Sequence, residues 1–459
     1  MGQSAAVSPR SAGTTVGASG GRMIRRGALY LRPGPVSTPR TRRRGQAGAS
    51  DREEGPSDRG AGRWDVIWFD PERGSDRRSV APGPGGGQAM GAPPIPVALV
   101  VGDLVRRGEV HRIARLVGRL TGRGIAALVI GSGGVSGLIE RGIAAIEDPW
   151  LDRPWLGRVA SGRVRRADPG APAEVVHAMH AEVVRAAAEL ASGWGAPLVR
   201  TIEDYPGLDD PSRAEPRGSL VTVVGDDGLA RRFAEEGRQP PESIRVIAPG
   251  IDPIRGGEAD TEGAAIPGDR VRVIGAMGRL GSGSGFEAFL DAIHRVLKAG
   301  RDVEFLVAGL GPGESRLRRR AARLGIAERL TFASPAALES VFWEVIDLYC
   351  QPAAVATLGR PLMEAMVAGR PSVAADVEGL RGLLGGGGRG LLVPPGDAAA
   401  LARAMLDLLD QPLLARSLGE RSRQWALPRF DPDREADQLA ALYAECARTG
   451  SPSSERRRS

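Results

Sequence analysis

The chain has 459 residues, 42% of them apolar, and a formal charge of +7. One hydrophobic core stops growing at about 250–300 residues, so two domains are expected. The charge is terminal: residues 1–90 hold 15 Arg against 8 Asp+Glu, residues 451–459 hold 3 Arg against 1 Glu, and the part between is left at −2, which argues against a basic nucleic-acid-binding core, so no nucleic acid is expected as a partner. Cys350 and Cys446 lack metal-ligand spacing and read as small buried apolar groups in a reducing compartment. With only His111, His177, His180 and His294, no histidine-rich metal site is expected. No run of about 18 apolar residues suggests a membrane span, and the apolar stretch after Arg25-Arg26 breaks at Pro33, too short for an export core. Arginine is abundant and Lys298 is the single lysine, so the loss of a cation at a given position says more here than the presence of one.

Residues 1–92, rich in Gly, Ser, Pro and Arg, read as a disordered low-complexity tail, with Met90 as an alternative start and a basic arm for an anionic surface as the functional alternative. Order begins at Pro96–Gly102, a continuous apolar run of the kind a buried parallel strand shows. A helix follows with Val110, Ile113, Leu116, Val117 and Leu120 on one face, then a strand at Ile125–Ile130. Strands are expected again at Val175–His177, Pro197–Thr201, Leu220–Val223 and Ile244–Ile247, with helices over 180–193 and from Asp226. This alternation predicts an α/β fold with a parallel sheet covered on both faces, spanning residues 94–252. Residues 253–269 suit a linker. A second Rossmann-like domain is expected over 270–432, with strands at Val271–Ala276, Val303–Ala308, Leu330–Phe332, Ile346–Tyr349 and Pro371–Ala375 and helices near 286–298, 314–324, 361–368 and 398–410. A last helix over 433–447, carrying Leu439, Leu442 and Tyr443 on one face, precedes a disordered basic tail at 448–459. Two such domains joined by a hinge place a ligand in the cleft between them, at the carboxyl ends of the strands.

Three short features suggest what fills that cleft. Gly278-Arg279-Leu280 follows a strand and opens the Gly/Ser loop 281–285, whose amides, with an Arg and a following helix N-terminus, suit a diphosphate. Gly309-Leu-Gly311-Pro312 follows the next strand, and its glycines allow close backbone approach to a ligand. Gly359-Arg-Pro361-Leu-Met-Glu364 starts a helix with a carboxylate in its first turn, which could accept from two ribose hydroxyls. Each alone occurs in many Rossmann-like sheets.

Their order and spacing, continued by Pro352, Ala365-Met-x-Ala-Gly-Arg-Pro371 and Gly390-Leu-Leu-Val-Pro-Pro-Gly-Asp397, resemble the C-terminal domain of the family 4 glycosyltransferases. In the first half, Val176-His177-Ala-Met-His180 looks like that family's H-x-H strand end, Arg107-Gly108-Glu109 like its Gly-rich first loop, and Ala248-Pro-Gly-Ile-Asp252 like its hinge. The resemblance covers about residues 94–447. It implies a GT-B fold, two Rossmann-like domains facing across a cleft, and retaining transfer from a nucleotide-diphosphate sugar, used as substrate with no cofactor and no metal. It implies donor binding by Arg279, Ser284, Gly309, Gly311, Gly359 and Glu364, and places Glu203 and His180 as candidate catalytic groups. The acceptor, expected on the first domain, is an unknown glycan, lipid or small molecule. A cytoplasmic location is expected. Relatives with lipid acceptors dock a basic helix on the membrane, and the helix with Arg106, Arg107, Arg112, Arg115, Arg119 and Arg123 raises peripheral contact at its inner face.

The chain departs from the pattern at four places. Ser284 stands where the phosphate-binding lysine is usual, Ala356 replaces the first glutamate of the paired-glutamate motif, and Thr357-Leu358 replace the Gly-Phe after it. Glu203 replaces a histidine, and Pro249 the hinge asparagine. One charge-assisted hydrogen bond contributes about 1.5–3 kcal/mol, so losing the lysine and glutamate contacts together costs on the order of 10²–10⁴-fold if they add. The alternative to an active transferase is a non-catalytic GT-B protein that binds a nucleotide-sugar or glycan, or partners an active enzyme.

Overall fold

A computed structural model describes residues 93–153, 155–167, 172–202, 205, 220–235, 239–253, 271–338 and 341–450. The tail expected over 1–92, most of the linker, the candidate residue Glu203 and residues 451–459 lie outside the described residues. Among the described residues, thirteen strands fall into two all-parallel sheets. Helices of eight or more residues are numbered α1–α10 in chain order.

The first sheet holds β1 (Ile95–Asp103), β2 (Ile125–Gly133), β3 (Ala145–Glu147), β4 (Val175–Ala178), β5 (Leu198–Ile202), β6 (Leu220–Val224) and β7 (Ile244–Val246), in the order β3-β2-β1-β4-β5-β6-β7. Its helices are α1 (Val110–Thr121), α2 (Gly157–Ala167), α3 (Val184–Trp194) and α4 (Asp227–Glu235). β1 is buried from Val97 to Gly102 because both of its faces are covered. On one side α1 inserts Ile113, Leu116, Val117 and Leu120, the spacing of a single helical stripe. On the other side α3 inserts Val184, Ala187, Leu190 and Ala191.

β3 and α2 were not expected from the sequence. Three residues are too few for a strand to show a period, and α2 buries only the small Ala160, Ser161 and Val164 on a helix otherwise rich in arginine.

The second sheet holds β8 (Arg272–Met277), β9 (Val303–Ala308), β10 (Leu330–Ala333), β11 (Leu348–Gln351), β12 (Ser372–Ala375) and β13 (Leu391–Val393), in the order β10-β9-β8-β11-β12-β13. Its helices are α5 (Phe286–Lys298), α6 (Glu314–Arg323), α7 (Arg360–Val367), α8 (Ala398–Asp410) and α9 (Pro412–Arg429). Phe289 stacks edge-on against Phe286 and Phe305, with centroids 6.3 and 6.2 Å apart, and seats α5 on β9. Asp397 caps α8 by accepting from the N–H groups of Ala399 and Ala400, which holds its carboxyl below the usual range.

The final helix α10 (Pro432–Gly450) leaves the second half and packs on the first. Its buried stripe is Ala436, Leu439, Leu442, Tyr443 and Cys446, set against the core around β1 and β4. The Tyr443 hydroxyl lies 2.6 Å from Nδ1 of the buried His177. The helix runs three residues beyond its expected end. Cys350 and Cys446 are both buried and free.

Candidate active site

Strand order decides where a ligand can sit. In both sheets the first two crossovers run one way from the opening strand and the next ones run the other way, so the loops after β1 and β4, and those after β8 and β11, diverge and leave a crevice. The described candidate site residues lie at or near these two switch points.

At the second switch point the loop after β8 is built on backbone contacts. Gly278 N–H donates to Ala308 O at 3.0 Å, Leu280 N–H to Leu310 O at 3.0 Å, and Gly313 N–H to Leu280 O at 2.9 Å. Leu280 is fully buried and pins the loop, while Arg279 beside it is exposed. A Cβ at Gly309 would overlap the Gly278 carbonyl oxygen, and one at Gly311 the Leu280 carbonyl oxygen. The close approach those glycines permit is therefore taken up first by the neighbouring loop. Ser284 donates its hydroxyl proton to Gly281 O at 2.7 Å.

Two helices start at this switch point from glycines. Gly285 precedes α5 with φ 76° and is pressed so tightly on the Pro352 carbonyl that no side chain fits. Gly359 precedes α7 with φ 74°. Neither helix has a side-chain cap from its N-cap residue, so first-turn N–H groups are left without one, in α7 those of Arg360 and Leu362 since Pro361 has none, each at the positive end of a helix dipole.

Glu364 lies in the second turn of α7, not the first as the sequence reading had it, because the helix begins at Arg360. Its carboxylate is 3.3 Å from Arg360 Nε and accepts from the Trp343 indole N–H. Burial pushes the carboxyl up, the Arg360 and Arg112 guanidinium groups pull it down, and Glu109 from the first half pushes it up again. That influence of Glu109 and Arg112 brings the two switch points face to face.

At the first switch point the side chains are locked together. Gly102 N–H donates to His180 Nδ1 at 2.7 Å, so Nδ1 is unprotonated and Nε2 carries the proton, 2.9 Å from Glu109 Oε2. His180 is fully buried and Glu109 is 13% exposed. His177, at the end of β4, is held by Tyr443 and by Thr201 Oγ1 at 2.8 Å. Burial first, then the nearby His180 and Arg112, lower its pKa to about 3.

Between the halves lies a cavity of about 50 Å³ lined by Thr201, Ile202, Gly225, Leu358, Arg360 and Glu435, among others. That volume suits a few water molecules and not a sugar ring. Leu358 closes it: a Cβ on Gly225 would come within 2.6 Å of Leu358 Cδ2. The hinge segment is tied to both halves. Ile251 N–H donates to Phe430 O at 2.8 Å, and Arg360 Nη2 reaches Gly250 O at 3.4 Å. Asp252 accepts from Arg115 and Arg119 at 2.6 Å each, and Arg123 pairs with Asp433 and Asp437 of α10 at 3.1 and 2.5 Å. Three arginines of the helix considered for membrane contact are thus engaged inside the protein. Among the described residues no helix is long and apolar enough to cross a membrane.

Of the sequence candidates, Arg279, Ser284, Gly309, Gly311, Gly359 and Glu364 gather around the second switch point, and His180 stands at the first. Glu109, Arg112, Trp343 and Arg360 were not singled out as site residues. Signals pointed to two of the four: Glu109 is the residue before α1, and Arg360 is the residue between the glycine and proline that start α7.

Residues 263–425 match the family model described as glycosyl transferases group 1. The chain is 31% identical over 172 residues to an alpha-D-kanosaminyltransferase of Streptomyces kanamyceticus, 37% of this chain and 44% of the relative. It is 29% identical over 255 residues to a 2-deoxystreptamine glucosyltransferase of the same organism, 54% of this chain and 64% of the relative. The alignments thus span less than two thirds of these curated relatives. The Anabaena protein Alr3699/HepE, solved in complex with UDP and glucose, superposes with a TM-score of 0.61 at 19% identity, over 76% of this chain and 99% of that one. The family match thus lies in the second half of the chain, and the GT-B architecture of two facing Rossmann-like sheets is shared across both halves.

Proposed function

We propose that this protein transfers a sugar from a nucleotide diphosphate to a hydroxyl acceptor, with retention at the anomeric carbon. One observation carries the reading: two glycine-started, uncapped helix N-termini, α5 and α7, open at the switch point of the second sheet, with the partly buried Glu364 carboxylate one turn further in. Backbone N–H groups fixed in place before the reaction stabilise charge as it develops on a departing diphosphate and need no reorganisation to do so. Arg279, exposed beside them, adds a mobile cation. Glu364 accepts from the ribose hydroxyls, and Gly309, Gly311 and Gly359 keep the rim of the site low. Ser284 contributes shape and not charge, since its proton is given to Gly281 O. His180 acts through Glu109, whose carboxylate it orients toward the cleft. Glu203 takes the place of the family's histidine on the acceptor side.

The two relatives are named for transfer of kanosamine and glucose, the second to 2-deoxystreptamine. A hexose donor and a small hydroxyl acceptor are accordingly the substrate classes of this reading. The cavity between the halves is too small for either, so substrates enter a more open arrangement and closure then excludes water. The test is release of UDP or GDP from a panel of nucleotide-hexoses by the purified protein, with the anomeric configuration of any product read by NMR. No release with any donor from folded protein ends the catalytic reading.

The internally satisfied Ser284 hydroxyl and the uncharged Ala356 favour a second reading, a GT-B protein that binds a nucleotide-sugar without turnover. Calorimetry separates the two: heat of binding without product supports the second, and turnover rejects it.

A further inference from the structure

We infer that Arg360 is a positioning residue that holds the Glu364 carboxylate for the donor and ties it to the hinge at Gly250. The inference rests on the donor reading of Glu364 given above. Arg360 is the first residue of α7, where a cation faces the positive end of the helix dipole and costs stability. Its pairing with Glu364 runs in the less favourable direction for an i,i+4 pair, base before acid. Neither local effect explains an arginine here.

Its contacts do. Nε lies 3.3 Å from Glu364 Oε1, with the two side chains 26% and 24% exposed, and Nη2 lies 3.4 Å from the Gly250 carbonyl oxygen. One planar guanidinium therefore joins the donor-side carboxylate to the segment that connects the two halves, a fork that lysine cannot copy. Glu435, in the first turn of α10, is close enough for Arg360 and Arg112 both to favour its charged form, so the start of the returning helix belongs to the same cluster. Glu364 is faced by Arg360 on its own helix, by Trp343 and Tyr349 within its half, and by Glu109 and Arg112 from the first half. Arg360 is the leading group that opposes the effect of burial on it. A ribose hydroxyl donates to the ionised carboxylate, so donor affinity falls as pH drops through the Glu364 pKa. Removing Arg360 raises that pKa and moves the fall to higher pH.

The experiment measures binding of UDP and GDP by calorimetry from pH 5 to 8.5 for the full chain and for Arg360→Leu, Arg360→Lys and Glu364→Gln, with a thermal melt of each. Arg360→Leu is expected to weaken whichever nucleotide binds the wild type by about tenfold and to shift the acid limb upward, with Arg360→Lys recovering part of both. A lower melting temperature with unchanged affinity and an unchanged acid limb in both variants would mean a purely structural arginine and overturn the inference. If Glu364→Gln loses affinity and the Arg360 variants do not, the donor reading stands and the role of Arg360 falls. If Glu364→Gln binds as the wild type does, or the wild type binds neither nucleotide, both fall.

Discussion

The two sheets run their strands in the same order, but their switch points are finished differently. At the second, α5 and α7 begin at glycines that supply no side-chain cap, and the loops are fixed by backbone bonds to one another. At the first, the crevice is bounded by side chains bonded in series: Gly102 to His180, His180 to Glu109, and His177 to Thr201 and Tyr443. On the proposed reading, the backbone-built site recognises what all donors share, a charged diphosphate. A side-chain-built site is specific to its own residues and changes with each substitution.

The largest test of that contrast is Gly285→Ala. A methyl group there meets the Pro352 carbonyl and also forces φ 76° on a residue with a Cβ. A destabilisation of about 3 kcal/mol or more is expected in urea unfolding. Gly386→Ala, with φ 64° but open space around it, is expected to cost only about 1 kcal/mol. Equal losses would mean that backbone conformation alone, and not the packing of the donor loop, requires the glycine at 285.

The acid limb of stability tests the first switch point. Folded His177 is neutral down to about pH 3, whereas the unfolded imidazole titrates near its ordinary value of 6.5. The folded pKa is the depressed one, so the unfolded chain binds more protons between the two values. The stability is fully present above pH 6.5 and is lost as pH falls toward 3, at up to about 1.4 kcal/mol per unit. His177→Gln is expected to flatten this limb in urea titrations from pH 7 to 4. An unchanged slope would show that His177 does not govern the acid lability of this half.

The same contrast explains what could be read from the sequence. The second half was legible because its candidate site is built from glycines and a helix start, which leave fixed spacings: Gly278, Gly309, Gly311, Gly359 and Glu364 all fall around one crevice. The first half was less legible because Glu109, His180 and Gly102 meet across 71 and 78 residues of chain, and no local pattern encodes that meeting. The apolar stripe of α10 was visible as Leu439, Leu442 and Tyr443, but not that it covers the first sheet, since periodicity shows that a face is buried and not against what. Arg115, Arg119 and Arg123 looked like a surface stripe because their acids, Asp252, Asp433 and Asp437, are remote in sequence. The glycines at 309 and 311 were assigned to a ligand, and the loop after β8 accounts for their closest contacts.

Two smaller effects sharpen the comparison. Ser284→Lys adds a cation to the backbone-built site at the loss of one hydroxyl bond to Gly281. UDP affinity is expected to rise about tenfold, one charge-assisted hydrogen bond less the lost neutral one, with the gain shrinking at high salt. No gain would mean that the loop aims residue 284 away from the diphosphate.

The smallest effect expected is that of Tyr443→Phe, which removes one hydrogen bond and no volume. The Tyr443 hydroxyl is buried against His177, and its phenol is held well above its ordinary pKa by burial, so it stays neutral. The cost is expected to be about 1 kcal/mol, the net value of a buried neutral hydrogen bond, plus whatever His177 loses by keeping an unmet nitrogen. Because α10 brings Tyr443 from the far end of the chain to the first sheet, the variant should also loosen that helix, read as faster amide exchange at Leu439–Cys446 than at β1. If exchange rises equally in both places, α10 and the first sheet open as one unit. A rise confined to α10 would make that helix a separable strap that crosses the hinge, held to the side-chain-built half partly by the bond between Tyr443 and His177.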